Sequence, residues 1–449
     1  MGATRDLAHA AGAPCAIPGT PLAEAAKGLD ACVHCGFCLQ ACPTYVNLED
    51  ENDSPRGRLV LMRRMLEGDI ALTDEGAARH LDRCLGCRAC ETACPSGVPY
   101  GELLEATRAT LVPARGLPLV ARVILTVFRH HGLLRLALHG ARLFRATGLP
   151  RMLARVLPQR LAFPMAMLAS TAPAPVRSGA GTHTTLPVST PVVPATPGES
   201  SQDHAPRPTA ALLEGCVMSG LFDHVHQATT RVLTAQGCTM VRVPGQRCCG
   251  ALHAHAGDLA GARALAKANI TAFEADDRAT IVVNAAGCGA MMKQYAHLLH
   301  DEPIWAERAA RIAARTRDVS EFVAELGVTA GPHPVAQRVT HDPPCHQMHA
   351  QRIVSPPLQL LQAVPGLELR PLEDADQCCG SAGIYNLVEP GTSDAVLAPK
   401  LARIAETGAD IVATGNPGCM MQIGAGLLLA DVPTRVHHPI ELLAATHEP

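Results

Sequence analysis

Two stretches of the chain carry the same run of cysteines: Cys32, Cys35, Cys38 and Cys42 before Pro43, then Cys84, Cys87, Cys90 and Cys94 before Pro95. Each run reads C-x2-C-x2-C-x3-C-P, a pattern whose thiolates hold [4Fe–4S] clusters. Three sulfurs so closely spaced can wrap one face of a cube, because the short loop turns them inward. The fourth cysteine sits too far along to join them, and where two such runs share a domain it ligates the other cluster. The spacing therefore assigns Cys32, Cys35, Cys38 and Cys94 to one cluster, and Cys84, Cys87, Cys90 and Cys42 to a second. Zinc sites pair two C-x2-C knuckles across a longer gap, and no His or Cys pair completes such a site here. Disulfide frameworks belong to small secreted chains.

The chain has 449 residues, too many for one core, so two or three domains are expected. A net charge of −3 gives no global attraction to nucleic acid. The first eleven residues lack the apolar run of an export signal, and no apolar stretch reaches the roughly 20 residues of a membrane span. With 18 cysteines, mostly as metal ligands, this points to a reducing, cytoplasmic location.

Residues 1–20 read as a loose tail. The two motifs start 52 residues apart, and the stretch between them reads helical. Over 56–68, Leu59, Met62 and Leu66 share a face with basic residues opposite; Ser54 and Pro55 supply a start and Gly68 a stop. A helical insert argues for an α-helical ferredoxin domain over 21–112. Arg88, inside the second motif, reads as a solvated surface charge, with a part in raising that cluster's potential as the alternative.

Residues 106–198 contain no Asp or Glu but eleven Arg. Arg115, Arg122 and Arg129 fall seven apart, as do Arg135 and Arg142, so basic amphipathic helices are expected over 113–168. Two readings fit: helices lying on a membrane surface, or helices packed on the ferredoxin domain with Arg solvated. Residues 169–208 are Pro/Ala/Thr-rich and read as a linker.

Beyond 208 the chain repeats. Cys216, Cys248, Cys249 and Cys288 in the first copy answer Cys345, Cys378, Cys379 and Cys419 in the second, at offsets of 129, 130 and 131 residues. Cys238 falls outside the pattern. Strand-like runs at 210–213, 239–243 and 280–284 correspond to 338–341, 367–371 and 410–414. Helical patterns such as 259–273 and 394–406 fill the gaps. Each copy, 209–330 and 331–449, thus reads as an α/β unit with its cysteines at the carboxyl ends of parallel strands. Four such thiols fit a soft-metal or cluster site, a thiol redox centre, or structural cysteines.

These residues together resemble the iron–sulfur subunit of glycolate oxidase over roughly 25–445. The resemblance rests on Cys32 to Cys38, Cys42 to Tyr45, Pro55 to Arg58, His80 to Leu85 and Cys94 to Val98. It extends to Leu213 to Cys216, Gly287 to Ala290 and Cys378 to Gly383. It implies an α+β multidomain protein, a helical ferredoxin domain followed by a duplicated α/β cysteine-rich (CCG) domain. Looser relatives are the iron–sulfur subunits of anaerobic glycerol-3-phosphate dehydrogenase, D-lactate oxidation and heterodisulfide reductase. In the last of these the module ends in C-x2-C. Here Met291 and Gln422 occupy that final position, which argues against a non-cubane cluster while leaving four thiols per copy for an ordinary one.

The sequence carries no G-x-G-x-x-G after a strand and no P-loop. Gly380 to Gly383 reads as a tight turn, and His341, His437 and His438 read as core or solvated histidines. The resemblance implies an electron carrier with two [4Fe–4S] clusters. Its partner would be an FAD-binding subunit that oxidises glycolate to glyoxylate, and its acceptor a quinone or other carrier, at the cytoplasmic membrane face if the basic segment attaches there. The other classes left open are a self-contained reductase of disulfides or quinones and a non-catalytic iron–sulfur sensor or scaffold.

Overall fold

The computed structural model describes residues 15–176 and 207–448. Most of the expected tail and the Pro-rich core of the expected linker lie outside those residues. Both boundaries shift where they can be seen. The Ala16 amide donates to the Leu66 carbonyl at 2.7 Å, and Thr20 caps the short helix Pro21–Ala25, which buries Leu22. Packing around Leu22 therefore orders residues 16–20. At the other end, the helix Gln159–Ser170 runs past the expected linker start, and buried Thr171 accepts from Arg145 through both its hydroxyl and carbonyl.

The first domain is helical around its two cysteine runs. Ser54 accepts from the Gly57 amide to open the helix Pro55–Glu67, and Gly68 closes it in the left-handed conformation. Leu59, Met62 and Met65 join Leu22, Leu81, Leu103 and Leu104 in one core. Arg58 does not lie opposite them as expected. It is four residues before Met62, hence on the same face, and it is fully buried.

Each cysteine-rich copy holds a four-stranded parallel sheet. Strands β1 (Thr209–Leu212), β2 (Thr239–Val241), β3 (Thr280–Val283) and β4 (Thr316–Asp318) run in the order β2-β1-β3-β4. Strands β5 (Arg338–His341), β6 (Glu368–Arg370), β7 (Ile411–Ala413) and β8 (Arg435–His437) repeat that order as β6-β5-β7-β8. The fold class is the expected one. Every pairing is parallel, so all the strands of a sheet deliver their following loops to one edge.

The basic segment forms four helices: Leu119–Arg129, His131–Ala146, Leu149–Val156 and Gln159–Ser170. They pack mainly on the cysteine-rich copies rather than on the ferredoxin domain. Glycines on the receiving helices make room: a Cβ at Gly220 would meet Leu138 at 2.5 Å, and one at Gly424 would meet Ser170 at 2.7 Å. No single helix among the described residues is long and apolar enough to cross a membrane.

Candidate iron–sulfur sites

The two cysteine runs adopt the same local backbone. His34 and Gly36 in the first loop, and Gly86 and Arg88 in the second, all take positive φ. This alternation curls each loop so that three thiols converge. Cys94 lines the same small recess as Cys32, Cys35 and Cys38, together with Cys90. Cys42 lies on the other side, in electrostatic contact with Cys87 and Cys90 beside Cys84. Cys94 thus shares a recess with the three thiols of the first run, and Cys42 stands beside those of the second while also facing Cys38.

They differ in depth. Cys35 is exposed and its three companions partly so, whereas Cys42, Cys84, Cys87 and Cys90 are all buried. Burial first, and then neighbouring thiols, push Cys87 and Cys90 well above the ordinary thiol range; burial pushes Cys38 up to about 11. Such thiols ionise only beside a compensating positive charge, which a bound metal supplies.

Beside the buried quartet lies a fixed cation that sequence reading missed. Arg58 donates to the His80 carbonyl at 2.6 Å, to Thr44 Oγ1 at 3.0 Å and to Asp53 Oδ1 at 3.2 Å, and Nη1 stands 3.9 Å from the Cys42 sulfur. Burial works against its charge, but Cys84, Tyr100, Cys42 and Asp53 hold its pKa above the usual guanidinium value. Asp53 is also approached by Arg83 and His80. Tyr100 Oη donates to the Cys84 sulfur at 3.6 Å. Arg88 is no solvated charge: its side chain is 15% exposed and pairs with Glu91 at 2.9 Å, and Glu91 also accepts from the Gly101 amide. The signal available for Arg58 was its i, i+4 spacing to Met62.

The second set of cysteines converges as well, and more closely than the repeat alone implies. All eight line a single cavity of about 910 Å³, with Cys84 of the buried quartet in the same wall. Within the first copy the Cys249 and Cys288 sulfurs stand 3.2 Å apart. Mutual hydrogen bonding first, and burial second, raise Cys216, Cys249 and Cys345 well above the ordinary thiol range. In each Cys-Cys-Gly run the glycine takes positive φ. The Gly380 amide donates to the Cys378 sulfur at 3.4 Å, and a Cβ there would meet the Ser393 carbonyl at 2.6 Å. Gly380→Ala is therefore expected to lower stability by about 1–3 kcal/mol, read from thermal unfolding of the full chain.

The two copies meet through their third-cysteine loops: the Ala286 amide donates to the Gly415 carbonyl and Gly287 to Asn416 Oδ1. They are not equivalent. A buried ion pair, Lys400 with Asp342 at 3.0 Å, stands behind the second tetrad, where the first copy has Leu213 in place of Asp342. Both copies contact the ferredoxin domain, through different residues. Cys87 packs with Cys378, Cys345 and Tyr385, the Tyr385 hydroxyl donates to the Arg83 carbonyl, and His346 donates to Gly86 O. On the first-copy side Arg108 bridges the Cys84 and His255 carbonyls.

Met291 and Gln422, at the positions of the missing last thiolates, are buried. Gln422 is held by Asn386 and Ser393. His437 and His438 are buried, His341 is partly buried, and none of the three lines the cavity.

A family described as a 4Fe-4S dicluster domain matches residues 28–98, and one described as a cysteine-rich domain matches 210–293 and 339–424. The probable glycolate oxidase iron-sulfur subunit of Bacillus subtilis (strain 168) is 37% identical over 443 residues, covering 93% of this chain and 94% of that protein. The chain belongs to the glycolate oxidase iron–sulfur subunit family. The corresponding subunit of Escherichia coli (strain K12) is 32% identical over 426 residues, 94% of each chain. Lactate utilization protein A of Geobacillus kaustophilus is 31% identical over 239 residues, 52% of this chain and 98% of its own. Family membership agrees with the donor sets: two soft quartets without disulfides, on loops curled for a cubane.

Proposed function

We propose that the chain is the electron-transfer subunit of a glycolate-oxidising complex. It takes electrons from an FAD-binding partner that converts glycolate to glyoxylate and delivers them to a quinone or other acceptor. Cys32, Cys35, Cys38 and Cys94 would hold one [4Fe–4S] cluster, and Cys42, Cys84, Cys87 and Cys90 the other. Each cluster supplies one-electron transfer, which suits a chain that serves a two-electron flavin. The observation that carries this reading is the order of the sites. An exposed quartet gives a partner access at the surface, a buried quartet follows, and the thiol cavity adjoins the buried quartet directly.

The chain's own groups set the electrostatics along that order. Arg58 fixes a positive charge beside the buried quartet, and Tyr100 donates a hydrogen bond to one of its sulfurs; both favour the reduced state there. Tyr100→Phe is expected to lower the potential of the buried site and leave the exposed one unchanged, read by redox titration followed by EPR.

The function itself is tested on the complex purified with its flavoprotein. Glycolate added anaerobically is expected to bleach the iron–sulfur absorbance of this chain. Bleaching by a different hydroxy acid but not by glycolate would move the chain to another dehydrogenase. No bleaching by any hydroxy acid, with a disulfide oxidising the dithionite-reduced chain, would replace the reading with a disulfide reductase.

A further inference from the structure

The sequence left two readings open for the basic helices, on a membrane surface or packed on the ferredoxin domain with their arginines solvated. Ten of the eighteen large apolar side chains exposed on the described surface lie between Leu119 and Leu161. In the helix His131–Ala146, Leu134 alone is buried, and Leu133, Leu136 and Leu143 form an outward stripe. Beside that stripe runs a second one of Arg135, His139 and Arg142, all exposed. The helix Leu149–Val156 repeats the arrangement, with Leu149, Met152 and Val156 outward at i, i+3 and i+7 next to Arg151. In the helix Leu119–Arg129 the outward residues are Leu119, Val120 and Val123, flanked by Arg122 and Arg129.

We propose that these three helices dock the chain on an anionic lipid bilayer, their apolar stripes entering the interface and their arginines meeting the headgroups. Two features select lipid over an acidic protein. The charge is one-sided: the segment has no acidic residue, and Arg122, Arg129, Arg135, Arg142 and Arg151 make no ion pair among the described residues. The outward apolar residues are Leu, Val and Met with no Trp or Tyr among them, whereas the apolar anchors of protein interfaces are chiefly Trp and Tyr, with Leu and Val under-represented. Leucine stripes flanked by Arg are what an interfacial helix requires.

The placement gives the docking a consequence. The inner face of the first of these helices, through Ala121, Ile124 and Phe128, is a wall of the cysteine cavity. A bilayer against its outer face would lie about one helix diameter, roughly 10 Å, from that cavity. Lipid docking is argued from the surface alone and stands whichever acceptor the complex uses.

Vesicle flotation of the full chain tests it, with phosphatidylcholine vesicles compared with the same lipid containing phosphatidylglycerol. Binding is expected to the anionic vesicles at low salt, weaker at high salt and weakest to phosphatidylcholine alone. Leu133→Ser, Leu136→Ser and Leu143→Ser combined, and separately Arg135→Glu with Arg142→Glu, are each expected to reduce binding about tenfold or more. All five positions are exposed, and an unchanged circular dichroism spectrum confirms that the variants fold. No flotation of the parent chain at low salt, or undiminished flotation of either variant, overturns the proposal. If the parent does not float and the leucine variant loses its flavoprotein on purification, the face belongs to a protein interface instead.

Discussion

Arg58→Leu is expected to destabilise the ferredoxin domain by about 3–5 kcal/mol, the usual result of removing one partner from a buried ion pair. Arg58 and Asp53 are each 0% exposed at their side chains. The substitution removes the donor to the His80 carbonyl and to Thr44 and strips Asp53 of one of the two arginines beside it. The positive charge near Cys42 and Cys84 goes with it, so the potential of the buried site is expected to fall while the exposed site is unaffected. Arg56 is the control. It sits two residues away, paired with Glu51 at the surface, and Arg56→Leu is expected to change stability by no more than about 1 kcal/mol. Chemical denaturation of the two variants, with redox titration of any that retain iron, separates a buried electrostatic role from a surface one.

The crosswise quartets predict a second large effect. Cys94→Ala is expected to remove the cluster held by Cys32, Cys35 and Cys38, although Cys94 belongs to the other run. Cys42→Ala is expected to remove the one held by Cys84, Cys87 and Cys90. Each variant should lose about four irons and one EPR signal while keeping the other. Cys42→Ala should also be the less stable, because its sulfur contacts Thr44 and Arg58 inside the core, whereas Cys94 is only partly buried. If each substitution instead emptied the site of its own run, the two motifs would be independent.

Much of this arrangement was legible in the sequence, for reasons visible in particular residues. Cysteine spacing encodes a metal site locally, so the two runs could be read as a 4Fe-4S dicluster domain before any fold was known. The helix Pro55–Glu67 announced both its ends, through Ser54 and Gly68. The repeat revealed three strands per copy because each leads to a cysteine. The fourth strands, β4 and β8, went unread: Thr-Arg-Asp and Arg-Val-His are short, lead to no cysteine, and depend on pairing with β3 and β7. Facing was harder than existence. Arg58 points into the core because Asp53 waits there, and the Leu133 stripe points outward because Leu134 and Leu138 already fill the contact with the first cysteine-rich copy. Neither partner is near in the pattern that periodicity reads. The shared cavity belongs to the same class: eight cysteines spread from Cys216 to Cys419 meet only because two parallel sheets turn the same edge toward each other.

The central claim is that two cubane sites lie in series, an exposed one and a buried one against the thiol cavity. EPR of the anaerobically purified full chain, reduced with dithionite and paired with metal and acid-labile sulfide analysis, tests it most directly. The account predicts about eight irons or more per chain. It also predicts a spectrum of two magnetically interacting [4Fe–4S] centres that collapses to a single simple signal in Cys94→Ala. Zinc in place of iron, or two signals that show no interaction and survive Cys94→Ala unchanged, would contradict it.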